Sequence, residues 1–207
     1  MKHDEFDDEI EGIADEIARR QRSFDEVNEL SRSIIRGCAK AITLLHNGDT
    51  AAARAAIGES ERLAAGLGKA DPEFRYMSLQ AYQELAEAVI LCSVKLSRRI
   101  PWPSEVRVPR DAYLLGLMDV VGELKRGMLI SLMGGDRDTA GLYFRLMERI
   151  YDSTRSLRFA ESVLPAFRRK QDVARIQLEA AGSDMLKFLK GGAARAGRQR
   201  KAGSKMG

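Results

Sequence analysis

Residues 109–133 read PRDAYLLGLMDVVGELKRGMLISLM, and the periodicity of this stretch decides the fold class. Apolar residues return every three or four positions with no strand-like alternation, so the stretch predicts one helix from Pro109 or Asp111 to about Met133. Gly134-Gly135-Asp136 supplies its stop. Downstream the same period predicts a helix over about Asp138–Arg158, a break near Pro165, and a further helix over about Pro165–Leu189 that ends at Gly191-Gly192. Upstream, a helix from about Pro72 to Arg99 is closed by Pro101-Trp102-Pro103, which forbids further helix and opens an extended connection. Before it, Thr50 is expected to N-cap a shorter helix reaching about Leu67. The first helix runs from about Asp4 to His46, with a possible break near Ser23, and ends at Asn47-Gly48-Asp49. Ile10, Ile13, Ile17, Val27, Leu30, Ile34, Ile35, Ala39, Ile42 and Leu45 supply its apolar face.

The expected architecture is therefore all-α: a single-domain antiparallel bundle of about six helices over residues 1–190. Residues 191–207 are rich in Gly, Ala, Arg and Lys, have little apolar surface, and are expected to form a disordered basic tail. Bulk composition agrees. Of 207 residues 44% are hydrophobic and 31% charged, which excludes an intrinsically disordered chain and allows one sizeable core. A formal net charge of +4 says little by itself, but its distribution is uneven. Asp4 to Glu16 is dominated by acids, whereas Arg195, Arg198, Arg200, Lys201 and Lys205 stand in a tail without one. Cys38 and Cys92 have no metal-type spacing and suggest no disulfide framework, which fits a reduced, cytoplasmic location. The amino terminus lacks the apolar run of a secretory signal, and no segment approaches the roughly 18 consecutive apolar residues of a membrane span.

The chemistry lies in four acids. Glu84 and Glu87 are three apart and Asp119 and Glu123 four apart, so each pair projects from one face of its helix. Acids at such spacing usually form a solvated face. Here Asp119 is embedded in Leu117-Met118-Asp119-Val120-Val121, and the row Leu115, Asp119, Glu123, Ile130 is apolar at both ends. Unpaired carboxylates in such a place cost several kcal/mol unless protonated or bound to a cation. An all-oxygen set suits Mg²⁺, with Mn²⁺ as a second choice; the Glu-x-x-His pattern of di-iron bundles is absent, because the only histidines are His3 and His46. Gly116, Gly122 and Gly127 stand beside the acids at a helix-propensity cost of about 1 kcal/mol each. They admit two readings, room for a ligand or tight helix packing. A carboxylate site of this kind points to metal-assisted chemistry on a phosphate ester, on either a nucleic acid or a nucleotide.

From Val108 to Leu157 the sequence resembles the translin/TRAX family, specifically its catalytic TRAX-like members. The likeness is carried by Asp111-Ala112-Tyr113-Leu114-Leu115-Gly116, by Asp119-Val120-Val121-Gly122-Glu123-Leu124-Lys125-Arg126, by Gly135-Asp136-Arg137-Asp138-Thr139 and by Arg145 to Tyr151-Asp152. It extends more loosely over Gln83-Glu84-Leu85-Ala86-Glu87 and over Lys170 to Leu178. The resemblance implies a translin-like helical fold and a Mg²⁺-dependent endoribonuclease acting on single-stranded RNA. It gives Glu84, Glu87, Asp119 and Glu123 the role of metal ligands, one of them also serving as base. It further implies a hollow octamer, as in prokaryotic and especially archaeal homo-oligomers, with a translin-like partner chain as the other arrangement. The competing expectation is a non-catalytic, translin-like oligomer that binds single-stranded RNA or DNA. The acidic amino-terminal segment and the basic tail depart from the family core, and Gln177 stands where related helices often carry an acid.

Arg145 and Arg149 share a helical face, and Arg168, Arg169, Lys170 and Arg175 cluster further on; with Arg126 these are the candidate phosphate contacts. Phe144, Tyr151 and Phe167 are available to stack bases, although their spacing equally suits core positions. Tyr113 and Arg126 lie within reach of the acids, with Tyr113 in the core and Arg126 paired to Glu123 as the structural alternative. Trp102 is expected to pack over the joint that follows the Glu84 helix.

Overall fold

The computed structural model describes residues 5–68 and 74–203, with side chains as far as Lys190 apart from that of Arg75, and every regular element among them is a helix. The order is α1 (Glu5–His46), α2 (Thr50–Leu67), α3 (Arg75–Ser97), α4 (Arg110–Met133), α5 (Arg137–Thr154) and α6 (Phe167–Gly203). Two compact units form within the span expected to be one domain. The first comprises the chain to Leu96 together with Pro101–Gly116, the second Ser97–Ile100 together with everything from Leu117 onward.

In the first unit α1 is unbroken at Ser23, its 42 residues containing no proline. Only its second half is shielded. Val27, Ser31, Ile34, Cys38, Ala41 and Leu45 recur at four- and three-residue spacing and are buried, whereas Leu30 and Ile35 are half-buried and Ala39 is exposed. The buried seam thus passes through smaller residues than the expected face, because α2 approaches closely there. A Cβ on Gly37 would lie 2.4 Å from Ser60 Oγ, and one on Gly66 3.4 Å from a Leu30 methyl, contacts that make α1 and α2 antiparallel. Gly48, at φ +85°, makes the turn. The cap of α2 is Asp49 rather than Thr50: its carboxylate accepts from Ala52 N at 3.0 Å, leaving Thr50 as the first helical residue. Towards the amino terminus the seam continues through Ile17, Ile13, Ile10 and Phe6, which are 57, 53, 49 and 65% exposed.

α3 lies antiparallel to α2, with the Tyr82 hydroxyl donating to Ala64 O at 3.1 Å. The expected start at Pro72 falls outside the described residues. Its end comes at Ser97, two residues before the expected Arg99, because Arg98 adopts φ +55° ahead of the Pro101 connection. There the Tyr113 hydroxyl donates to Pro101 O at 2.8 Å and Val106 is buried. Trp102 does not fill the joint, contrary to expectation. Tyr113 and Val106 occupy it, and the Trp102 side chain is exposed while the backbone N–H of Trp102 donates to the Glu105 carboxylate at 2.6 Å.

In the second unit Gly135, at φ +80°, turns α4 into α5, and the Asp136 carboxylate caps α5 by accepting from Thr139 N at 2.9 Å. A Cβ on Gly127 would meet the Tyr143 ring at 2.8 Å, so this glycine serves α4–α5 packing. α5 and α6 run antiparallel: Arg137 sits over the Phe188 ring, Phe144 faces Gly182, and Gln171 bonds to Thr154. α5 ends at Thr154 and not at Arg158. The buried Thr154 hydroxyl bonds back to Ile150 O at 2.8 Å, while Gln171 Nε2 donates to Thr154 O at 2.7 Å and closes the helix end from outside. α6 starts at Phe167, after Ala166 at φ +63°, and its backbone continues through Gly191 and Gly192 to Gly203. The charges expected to make the tail basic belong to side chains outside the description. None of the described helices is long and apolar enough to cross a membrane.

Candidate functional site

The two acid pairs arise on separate helices with different surroundings. On α3, Glu84 is half-buried and Glu87 only 9% exposed. The three-residue spacing aims both at one side, where they act on the Cys38 thiol of α1. Burial pushes that thiol up to about 12; a hydrogen bond with Ser60 opposes the shift, and the charges of Glu84 and Glu87 add to it.

On α4, Asp119 is three-quarters shielded and held by Lys170 from α6, whose Nζ donates to Oδ1 at 2.5 Å and to Oδ2 at 2.7 Å. Glu123, equally shielded, lies 4.0 Å from the more exposed Arg126. Of the two readings of Arg126 the structure shows the pairing with Glu123, and Tyr113 stands in the core. Lys170, grouped in the sequence with phosphate contacts, is engaged with an acid. Among the described residues no three His, Cys, Asp or Glu side chains are placed together to hold a metal ion. The donor chemistry, oxygen only, still suits a hard divalent cation.

The three glycines of α4 separate into distinct roles. Gly116 is a packing position: a Cβ there would meet Gln83 O at 2.6 Å, Ala86 Cβ at 2.8 Å and Glu87 N at 3.0 Å. Its missing side chain lets the first turns of α4 cross α3 at the segment that carries the acids. Gly127 packs on Tyr143. Only Gly122, between Asp119 and Glu123, faces space with no atom within 4 Å of its Cβ position, as a ligand position would require.

The basic candidates scatter. Arg145, Arg149, Arg168 and Arg169 are exposed, and Arg175 is paired with Glu179 at 3.0 Å along its own helix. Phe167 is buried against Phe159, so it is a core residue and not a stacking platform, while Phe144 and Tyr151 are half-buried. Two cations that sequence reading missed, Arg155 and Arg158, converge with Arg168 on a cavity of about 100 Å³ that Tyr151, Gln171 and Asp172 also line. The expected continuation of α5 to Arg158 concealed them, since on one helix they would point along its surface instead of towards α6.

Comparison with known proteins gives a consistent picture. No protein-family model matches the chain. An uncharacterized protein of Methanocaldococcus jannaschii is 31% identical over 88% of this chain and 83% of its own length. Among solved structures, C3PO from Archaeoglobus superposes with a TM-score of 0.81 at 26% identity, covering 88% of this chain and 98% of that one. The same protein in complex with duplex RNA gives a TM-score of 0.79 at 25% identity, over 88% and 97% of the two chains. C3PO from Nematostella, without ligand, gives 0.77 at 22% identity over 86% and 96%, a likeness of fold alone.

Proposed function

The chain belongs to the translin/TRAX family, and on that premise we propose that it is a Mg²⁺-dependent endoribonuclease that binds single-stranded RNA within a homo-oligomeric shell, with Glu84, Glu87, Asp119 and Glu123 as metal ligands. The observation that carries this reading is the retention of all four acids on α3 and α4 in shielded positions, Glu87 being almost fully buried. The RNA complex of the Archaeoglobus relative supports RNA as the class of ligand; its RNA is a duplex, so strand state belongs in the test. Support for assembly comes from the exposed seam Phe6, Ile10, Ile13 and Ile17 on α1, an apolar stripe of the kind that helices bury against a second copy.

The ion, when bound, supplies Lewis-acid activation of a water nucleophile and stabilises charge on the phosphate. The chain's own part is to position and balance charge. Lys170 balances the charge of Asp119, and its ammonium, beside that carboxylate, would also be placed to face a non-bridging phosphate oxygen. Arg126, at the exposed edge of Glu123, is placed to do the same for the RNA backbone. One of the four acids accepts the proton of the attacking water. Open space beside Gly122 gives the substrate room next to Asp119 and Glu123.

The Asp119–Lys170 pair also favours a second reading. With that acid already balanced, the fold can serve as a non-catalytic RNA-binding oligomer. Cleavage of a labelled, unstructured RNA and of the matching duplex separates the two, run with Mg²⁺ (and Mn²⁺), with EDTA, and with Glu123→Ala. Metal-dependent cutting that the variant loses while still binding RNA is the expected result. RNA bound and left intact by the wild-type protein under every condition would overturn the enzyme.

A further inference from the structure

We infer that the cavity at the junction of α5 and α6 is a binding pocket for a phosphate monoester, such as the terminal phosphate of an RNA or a nucleoside monophosphate. As regards RNA, the inference rests on the RNA-binding reading above. The pocket of about 100 Å³ draws guanidinium groups from three places: Arg155 just after α5, Arg158 in the connection and Arg168 in the first turn of α6. Tyr151 and Gln171 complete the polar wall, and Asp172 is the one acid on it. Three arginines stand against Asp172 on the wall and Asp152, 3.5 Å from Arg155 at the exposed edge, so the pocket keeps an excess of positive charge, and a terminal monoester phosphate presents more free oxygens to those guanidinium forks than a diester does. The volume admits one tetrahedral oxyanion and not a nucleoside, so such a ligand would insert its phosphate and leave the rest outside.

The frame of the pocket is fixed by bonds already made. Gln171, 7% exposed, donates to Thr154 O at 2.7 Å and to Leu157 O at 3.3 Å, tying the start of α6 to the end of α5. One Arg158 nitrogen donates to Arg155 O and Leu157 O, both at 2.7 Å, which holds the connection in place. These bonds occupy the carbonyls of Thr154, Arg155 and Leu157, at and just after the end of α5, that would otherwise repel an anion. Arg155 has only an exposed contact to Asp152 at 3.5 Å, worth little in water. Arg168 has no acid partner among the described residues. Its helix, moreover, has no acid in its first turn, where Arg168, Arg169 and Lys170 stand together. Cations at a helix amino terminus work against the helix dipole, while an anion there is favoured by both the dipole and the arginines.

The test compares binding of one short single-stranded RNA carrying a 5′-phosphate, a 3′-phosphate or hydroxyl ends. Affinities are measured in EDTA for the wild type, Arg168→Ala and Arg155→Ala, with unfolding curves to establish that each variant is folded. Adenosine monophosphate and inorganic phosphate are titrated alongside by calorimetry. The expected result is about tenfold tighter binding of one phosphorylated end by the wild type. Arg168→Ala should abolish that preference without weakening the hydroxyl-ended RNA to the same degree. RNA bound equally well whatever its ends would overturn the pocket and leave the RNA reading intact. No RNA binding, together with adenosine monophosphate that binds the wild type and not Arg168→Ala, would sustain the pocket with a free nucleotide as its source. No binding of any phosphate compound would overturn it.

Discussion

Gly116→Ala and Gly122→Ala make the same chemical change on the same helix and should move stability in opposite directions. At position 116 the new methyl would stand 2.6 Å from Gln83 O, 2.8 Å from Ala86 Cβ and 3.0 Å from Glu87 N. Two of these are backbone atoms of α3, which cannot turn aside as a side chain can, so the overpacking cost falls near the top of its usual range, about 3 kcal/mol. Replacing a mid-helix glycine by alanine returns about 1 kcal/mol, which leaves a net loss of about 2 kcal/mol. At position 122 no atom lies within 4 Å of the Cβ position, and only the gain of about 1 kcal/mol remains. In a chain of this size 1 kcal/mol shifts Tm by about 2–4 °C. Gly116→Ala should therefore melt about 4–8 °C lower than the wild type, and Gly122→Ala about 2–4 °C higher. Urea and thermal unfolding followed by far-ultraviolet circular dichroism read both. A Gly116→Ala protein as stable as the wild type would refute the close crossing of α4 over α3 at Gln83–Glu87. A destabilised Gly122→Ala would mean that the space beside Asp119 and Glu123 is filled.

Lys170→Met removes the partner of a three-quarters shielded Asp119, a case between exposed and buried ion pairs, and should cost about 2 kcal/mol in EDTA. If Asp119 is a metal ligand, Mg²⁺ should raise the Tm of this variant more than that of the wild type; an equal response would remove Asp119 from the ligand set. The Cys38 thiol, raised by burial from 9.0 to about 12, favours the folded state fully below pH 9 and loses that contribution as pH climbs towards 12. Wild-type stability should accordingly fall over that alkaline range more steeply than that of Cys38→Ala, and Cys38 should resist disulfide reagents at neutral pH until the chain is unfolded; rapid labelling of the native protein would contradict the packing of α1 on α2. The pair Ile10→Asp and Ile13→Asp alters exposed positions and should change the stability of the folded chain by no more than about 0.5 kcal/mol. Its assembly mass by light scattering should nonetheless drop, and an unchanged mass would remove the amino-terminal half of α1 from the oligomer interface.

The helical class, the number of helices and the stops of α1 and α4 follow from local chemistry, and so they could be read directly from the sequence. Apolar spacing marked α4 to within a residue or two, and glycine punctuation set the ends of α1 and α4 because the positive φ of Gly48 and Gly135 is a local matter. Pairing within α3 and within α4 was equally legible, since residues three or four apart share a face of any helix. Where each face points depends on what packs against it, and only the tertiary structure decided that. α1 buries the row of Ser31, Cys38 and Ala41 because α2 comes close at Gly37, whereas the apolar count had put Ile35 and Ala39 on the face. α5 stops at Thr154 because Gln171, from the next helix, takes its last carbonyl and that of Leu157 just beyond it. Asp119 meets its counter-charge in Lys170, 51 residues away, and three arginines close on one pocket because the chain reverses between α5 and α6. A sequence places residues in order along a helix; the partner of a charge is set by whichever chain folds back beside it.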